Sequence, residues 1–213
     1  TALLVSLFKL SPSLPDSAYV GEIMAAIREV FAPEADAEIS LEMNPGTADR
    51  KKIHDYRISG VNRISVGLQS AVNTELAALG RIHTYEDFMA TFNMLREAGF
   101  DNINVDLMTG IPGQDMNSAR YSFEKVTELF PEHISAYSLI IEPGTPFGDM
   151  DKDKLALPDE DTDMAIYKFT AEFLRSKGYE RYEISNYSRP GKECRHNIVY
   201  WDRGNYIGLG AGA

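Results

Sequence analysis

Cysteine is almost absent from this chain. Cys194 is the only one in 213 residues, so no internal disulfide can form, and that usage fits a reducing cytoplasm. One thiol also cannot hold an iron–sulfur cluster, which normally takes several thiolates. Positive charge is scarce: 21 Lys and Arg against 32 Asp and Glu leave a formal charge of −11. Nucleic-acid binders usually carry a basic patch for the phosphates, and an anionic membrane surface asks for the same, so both partners are disfavoured. No apolar run approaches the roughly 20 residues that span a bilayer. Residues 1–10 are apolar but short, without the basic start or cleavage site of a signal peptide. GxGxxG, Walker and Gly-x-Ser-x-Gly patterns are missing too, so neither a phosphate loop nor a hydrolase elbow is visible. The remainder, 44% hydrophobic and 25% charged, is an ordinary globular composition long enough for one domain or one and a half.

What is present is a repeat. Gly60-Val61-Asn62-Arg63-Ile64-Ser65-Val66 reads like Gly99-Phe100-Asp101-Asn102-Ile103-Asn104-Val105, and again like Gly178-Tyr179-Glu180-Arg181-Tyr182-Glu183-Ile184. Each time a helical pattern ends at glycine and an alternating strand follows, as expected where glycine takes the left-handed position past a helix end. Residues 38–43 and 133–141 add two strands. Asp16 precedes a helix with its stripe on Val20, Ile23, Met24, Ile27, Val30 and Phe31. Thr84 with Asp87 forms a variant capping box for a helix ending at Gly99. Residues 117–130 read as a further helix, and residues 159–177 run from acidic to basic, the order that complements a helix dipole.

Strict alternation of strand and helix predicts a parallel sheet with right-handed crossovers. Its strands are two-faced. Ile39, Leu41 and Met43 alternate with Ser40 and Glu42; Ile64, Val66 and Leu68 with Ser65, Gly67 and Gln69; Ile103, Val105 and Leu107 with Asn102, Asn104 and Asp106. A sheet covered by helices on both sides would read as continuous apolar runs. One polar face therefore lines something wet or ligand-filled, and the prediction is an α/β fold of the incompletely closed barrel type, smaller than the eight-stranded form of about 250 residues.

In such barrels the site lies at the carboxyl ends of the strands, where Glu42, Gln69, Asp106 and Glu142 fall. Two carboxylates and an amide can hydrogen-bond a ligand's hydroxyls and ammonium group. Alone, each would more simply cap a helix or satisfy backbone; three at equivalent strand ends favour a site. Arg81 fits either a ligand carboxylate, held by its planar fork, or a surface ion pair. His54, His83 and His133 are scattered and read as structural or surface. The glycine-rich residues 204–212 read as a strand and tight loop. Residues 194–201 gather Cys194, His196, Tyr200 and Trp201; thiol and imidazole could ligate a metal or haem iron, although a packed aromatic beside a hydrogen-bonded histidine is the simpler reading.

Several of these segments, in order and spacing, resemble one family. They are Leu41-Glu42-Met43-Asn44-Pro45-Gly46, Arg63-Ile64-Ser65-Val66-Gly67-Leu68-Gln69-Ser70, Leu79-Gly80-Arg81-Ile82-His83, Asn104-Val105-Asp106-Leu107-Met108-Thr109-Gly110-Ile111-Pro112-Gly113-Gln114 and His133-Ile134-Ser135-Ala136-Tyr137-Ser138-Leu139. The family is the radical S-adenosylmethionine (SAM) proteins of the oxygen-independent coproporphyrinogen III oxidase type. Tyr182-Glu183-Ile184-Ser185-Asn186-Tyr187, Cys194-Arg195-His196-Asn197 and Tyr200-Trp201 are similar to its haem-chaperone branch. The resemblance covers residues 11–213.

It implies a partial (β/α)6 barrel, with Glu42, Gln69, Arg81 and Asp106 at SAM-contacting positions. It also implies radical chemistry driven by a 4Fe-4S cluster in the intact family. The haem-related candidates are His196, Cys194, Tyr200 and Trp201, and the implied partners are haem and haem-accepting proteins such as respiratory enzymes. The alternatives are a coproporphyrinogen-oxidising enzyme and a non-catalytic haem- or SAM-binding remnant. The family's CxxxCxxC motif is absent here, and Phe8-Lys9-Leu10-Ser11-Pro12-Ser13 stands where its GGGTP strand end belongs. The expectation is therefore one barrel core over residues 1–213, with an atypical leader at 1–10, amino-terminal strand(s) missing and the family's carboxy-terminal domain absent, and inactive as a radical enzyme.

Overall fold

The computed structural model describes residues 2–5, 13–151 and 154–208. Among these, one sheet of seven strands has the order β1-β2-β3-β4-β5-β7-β6. β1 (Ala2–Val5), β2 (Glu38–Met43), β3 (Arg63–Gln69), β4 (Ile103–Thr109) and β5 (His133–Ser138) pair in parallel, in sequence order. The helices between them are α1 (Ser17–Phe31), α2 (Arg50–Ile58), α3 (Asn73–Ala78), α4 (Tyr85–Glu97) and α5 (Met116–Thr127). α6 (Glu160–Ser176) leads to β6 (Glu180–Arg181), β7 (Asn186–Ser188) and α7 (Arg195–Trp201). The sheet is open, with β1 and β6 at its edges, which is the partial barrel the strand faces predict.

The helix starts follow their capping chemistry. Asp16 accepts from the Ala18 N–H at 3.0 Å at α1, and Asp159 from Thr162 at 2.7 Å at α6. The Thr84–Asp87 box is complete at α4. At α5 the cap is Asp115, paired reciprocally with Ser118. The three repeat glycines are left-handed, with φ of 98° at Gly60, 83° at Gly99 and 85° at Gly178. A side chain would be strained there, so helix end and strand start are fixed together.

The apolar set of each strand packs under the helices. Leu41, Ile64, Val66, Leu68, Ile103, Val105 and Ile134 form one core with Met24, Ile53, Tyr56, Phe88, Leu95, Phe123, Val126 and Leu174. Their burial removes apolar surface from water at about 25 cal/mol per Å². The polar set is thereby turned onto the concave face.

Four expectations change. The atypical leader, not read as a strand, contains one: Ala2–Val5 form the edge strand, with Leu3 beside Ile39 and Val5 beside Leu41, as a short continuous apolar run suits a parallel strand. Residues 8–12 of the segment standing in for GGGTP lie outside the described residues. The third repeat does not add a parallel strand. β6 has two residues and pairs antiparallel with β7, which pairs antiparallel with β5; the loop after Arg181 is short enough for a hairpin and far too short for a crossover. β5 stops at Ser138, so Glu142 lies in an exposed turn beyond the strand, its carbonyl accepting from Thr145 Oγ1 at 2.6 Å. Of the glycine-rich tail, residues 204–208 are loop rather than strand, and 209–212 lie outside the described residues.

Candidate functional site

At the carboxyl end of the barrel, Tyr137 is the common neighbour of the four predicted ligand residues. Its hydroxyl donates to Gln69 Oε1 at 2.8 Å. Burial, then the negative charge of Asp106, pushes its pKa up to about 12, with Arg81 opposing and Glu42 adding to the rise. Glu42 is open to the mouth. Its carboxyl is nonetheless held above the usual range, first by desolvation and then by Asp106, against the pull of the Arg63 guanidinium. Asp106 is raised by burial, opposed by hydrogen bonds from Asn104, Ser135 and Ser65 and by the charge of Arg63. Two carboxylates with one buried cation between them form a site that accepts hydroxyl and ammonium donors.

Gln69 is placed by strain. It is buried, with φ 74° at a register shift between β3 and β4. A left-handed glutamine costs on the order of 1–3 kcal/mol and persists where surrounding structure insists on it. Gly67 makes the room, since a Cβ there would come 2.9 Å from Gln69 Nε2 and 3.2 Å from Asn44 Oδ1. Strand alternation and the bulge together turn the amide back over the concave face toward Tyr137.

The opposite, amino end of the barrel carries α7. Glu38, the first residue of β2, accepts from the backbone N–H groups of Arg195 at 3.2 Å and His196 at 3.4 Å. It also accepts from the Cys194 thiol at 3.6 Å. A carboxylate there satisfies donors that a helix start leaves open. Cys194 is buried, and burial holds its thiol above the ordinary range. It therefore faces inward, away from the other residues of its motif. His196 is half-buried and lies edge-on to Tyr200, ring centroids 4.8 Å apart, and burial lowers its pKa. Tyr200 in turn contacts Tyr206. Trp201 is exposed and lines an open cavity of ≈ 430 Å³ with Arg181, Tyr182, Glu183 and Ile184.

The structure thus brings Glu42, Gln69, Arg81 and Asp106 to one mouth. It pairs His196 with Tyr200, leaves Trp201 exposed on the wall of the cavity, and buries the Cys194 thiol on Glu38. Arg63, Tyr137, Glu38 and Tyr182 escaped the sequence reading, and His133 was read only as structural or surface. The signal for Arg63, His133 and Tyr137 was present, since they occupy the polar alternation positions of β3 and β5. His83 is structural, its Nε2 bonded to the Leu68 carbonyl at 3.1 Å.

The radical SAM superfamily model matches residues 5–126, more than half of the chain. The chain belongs to the radical SAM superfamily. Its sequence is 39% identical over 203 residues to the heme chaperone HemW of Escherichia coli, covering 95% of this chain and 53% of that protein. It is 38% identical to HemW of Bacillus subtilis, over 90% of this chain and 51% of the relative. The mouse radical S-adenosyl methionine domain-containing protein 1, mitochondrial, is 36% identical over 95% of this chain and 46% of its own length. The chain thus spans about half the length of the curated relatives it matches. Among solved structures, coproporphyrinogen III oxidase (HemN) from E. coli superposes with a TM-score of 0.77 at 28% identity, over 90% of this chain and 44% of that one. These matches lie in the oxygen-independent coproporphyrinogen oxidase group and its haem-chaperone branch. Archaeal Elp3 from Methanocaldococcus infernus shares the fold, with a TM-score of 0.65 at 18% identity over 80% of this chain and 44% of that one.

As a radical SAM barrel the chain implies SAM and a 4Fe-4S cluster. The mouth fits the first: its carboxylates, amide and guanidinium match SAM's hydroxyls, ammonium and carboxylate. The second is not met. The chain has one thiol, protonated and bonded to Glu38, and among the described residues no group of three or more His, Cys, Asp or Glu could hold a metal. Nor is any helix among them long and apolar enough to cross a membrane.

Proposed function

We propose that this chain is the barrel of a haem chaperone, holding SAM at the carboxyl end and presenting haem-handling residues on α7 at the amino end. The observation that carries the reading is α7 itself, which bears the His196–Tyr200 ring pair and, through Trp201, one wall of a cavity shared with Ile184 and Arg181. A flat macrocycle with charged propionates asks for that combination: apolar and aromatic surface for the ring, a guanidinium for a carboxylate, and a neutral imidazole for iron. Burial keeps the His196 imidazole neutral near pH 7. Cys194, sealed on Glu38, is left out of this set.

At the mouth, Arg81 would hold the methionine carboxylate, Glu42 and Asp106 would take the hydroxyl and ammonium donors, and Gln69, steadied by Tyr137, would offer its amide to the adenosyl portion. Bound SAM would supply a sulfonium centre, the reducible group of this superfamily's chemistry. This chain's residues bind and orient it and do not supply the cluster that reduces it. The partners are haem and haem-accepting proteins, and a single buried thiol suits work in a reducing cytoplasm.

The HemN likeness favours a second reading, oxidation of coproporphyrinogen III. Mixing the haem-loaded chain with an apo-haem protein separates the two. Appearance of the acceptor's haem spectrum as the chain's own is lost supports the chaperone. Retention of haem by the chain in the presence of excess acceptor, or binding of coproporphyrinogen III in preference to haem, overturns it.

A further inference from the structure

A line of buried and half-buried polar side chains runs through the barrel interior from Asp106, at the middle of β4, to the start of α7. Asn104 Nδ2 lies 2.6 Å from Asp106 Oδ1 and 2.7 Å from Ser65 Oγ. Asn104 Oδ1 lies 2.6 Å from His133 Nδ1, and His133 Nε2 lies 2.8 Å from the Tyr182 hydroxyl. The Tyr182 oxygen is 3.2 Å from the Cys194 backbone nitrogen. The direction of each bond follows from one end. A carboxylate only accepts, so Asn104 turns its amide donors to Asp106 and Ser65 and its carbonyl to His133. His133 must then carry its proton on Nδ1, which leaves Nε2 to accept from the Tyr182 O–H, and the Tyr182 oxygen to accept from Cys194. One neutral tautomer satisfies every member. A buried network satisfied in a single way fixes one geometry, and its partial loss is costly.

We infer that His133 and Tyr182 are positioning residues that seat α7 on the amino end of the barrel by tying the Cys194 backbone, through Asn104, to Asp106 in the cofactor mouth. Glu38 holds the same helix start through the Arg195 and His196 N–H groups, and Asp36 holds the Arg195 guanidinium, so the Tyr182 link is the one anchor of α7 that ends on a ligand-binding carboxylate. Whatever engages Asp106 changes the acceptor on which the chain terminates. This goes beyond the proposed function and takes from it only that α7 carries His196 and Trp201. Its test needs no ligand, so its failure leaves the haem reading standing.

The test is amide hydrogen exchange over residues 194–201 in the whole chain, together with the emission of Trp201, the only tryptophan. Tyr182→Phe keeps the ring against His133 and removes the hydroxyl's bonds to His133, the Cys194 backbone and the Asn197 side chain; exchange should rise about five-fold and emission shift to the red. Asp106→Ala, at the far end, should reproduce both changes, Asp106→Asn should restore them by returning an oxygen acceptor, and Asp106→Ala with Tyr182→Phe should exceed neither single variant. An unchanged α7 in Asp106→Ala, or no rescue by Asn, overturns the inference. Should Asp106→Ala unfold, the imidazole ¹⁵N signature of His133 in the unaltered chain decides: Nδ1–H with a bare Nε2 upholds the chain of bonds, and Nε2–H breaks it.

Discussion

Gly67 and Gln69 show how two adjacent concave-face positions cooperate. The glutamine adopts a left-handed backbone and folds its amide over the place where any other residue at 67 would carry a Cβ. Gly67→Ala therefore pushes the Gln69 amide away from Tyr137. The displaced atoms are side-chain ends that move cheaply, so the melting temperature should change by only a few degrees. SAM affinity should fall roughly ten-fold, the loss of one or two well-placed hydrogen bonds; calorimetric titration of both proteins checks this, and equal affinities would contradict the placement. His133 gives a second expectation. Burial, with Arg63 beside it, drives its pKa well below the ordinary 6.5, while the Tyr182 hydroxyl, donating to Nε2, bonds only its neutral form. The unfolded chain takes up a proton below about pH 6.5 and the folded chain does not, so stability is full above that pH and is lost as pH falls toward the folded value. His83 and His196, also lowered, act in the same direction. Glu42 and Asp106, raised, act in the opposite one. Between pH 7 and 5.5 the melting temperature should fall, with a shallower slope in His133→Gln.

At the scale of elements, legibility followed whether a signal was local. α1, α4 and α6 begin where Asp16, Thr84 and Asp159 announce them, and Thr84→Ala should cost about 1 kcal/mol in denaturant unfolding through loss of both halves of the α4 box. α2 has the cap Asp49, but its apolar positions are few, Ile53 and Tyr56, and it was passed over. α7 carries no side-chain cap of its own; its start is satisfied by Glu38, distant in sequence, and no local pattern could reveal that. The hairpin β6–β7 was misread because Gly178 repeats the helix-ending signal of Gly60 and Gly99, while the pairing that follows is set by the free edge of β5. The candidate mouth was legible because Glu42, Gln69 and Asp106 lie on the polar face of successive parallel strands, although Asp106 sits at the middle of β4 rather than at its end. Glu142 imitated that position beside a Pro-Gly turn yet lies beyond the end of β5. Arg63 and His133 could be read only from the polar alternation that also marks ordinary solvent-facing residues.

For the molecule as a whole, the two faces of the sheet divide the labour. Apolar alternation binds the helices, and polar alternation lines an interior with a cofactor mouth at one end and α7 at the other. The scarcity of cysteine takes on a structural meaning, because the single thiol is buried and committed to Glu38. The account stands or falls on whether the α7 face takes haem. Titration of the chain with hemin, followed by the Soret band and by quenching of Trp201, is the direct measurement. Saturable binding with a shifted Soret band that His196→Ala weakens by about ten-fold or more, while Cys194→Ala leaves it intact, is the predicted result. Absence of a saturable shift, or a shift that survives His196→Ala and disappears in Cys194→Ala, would contradict it.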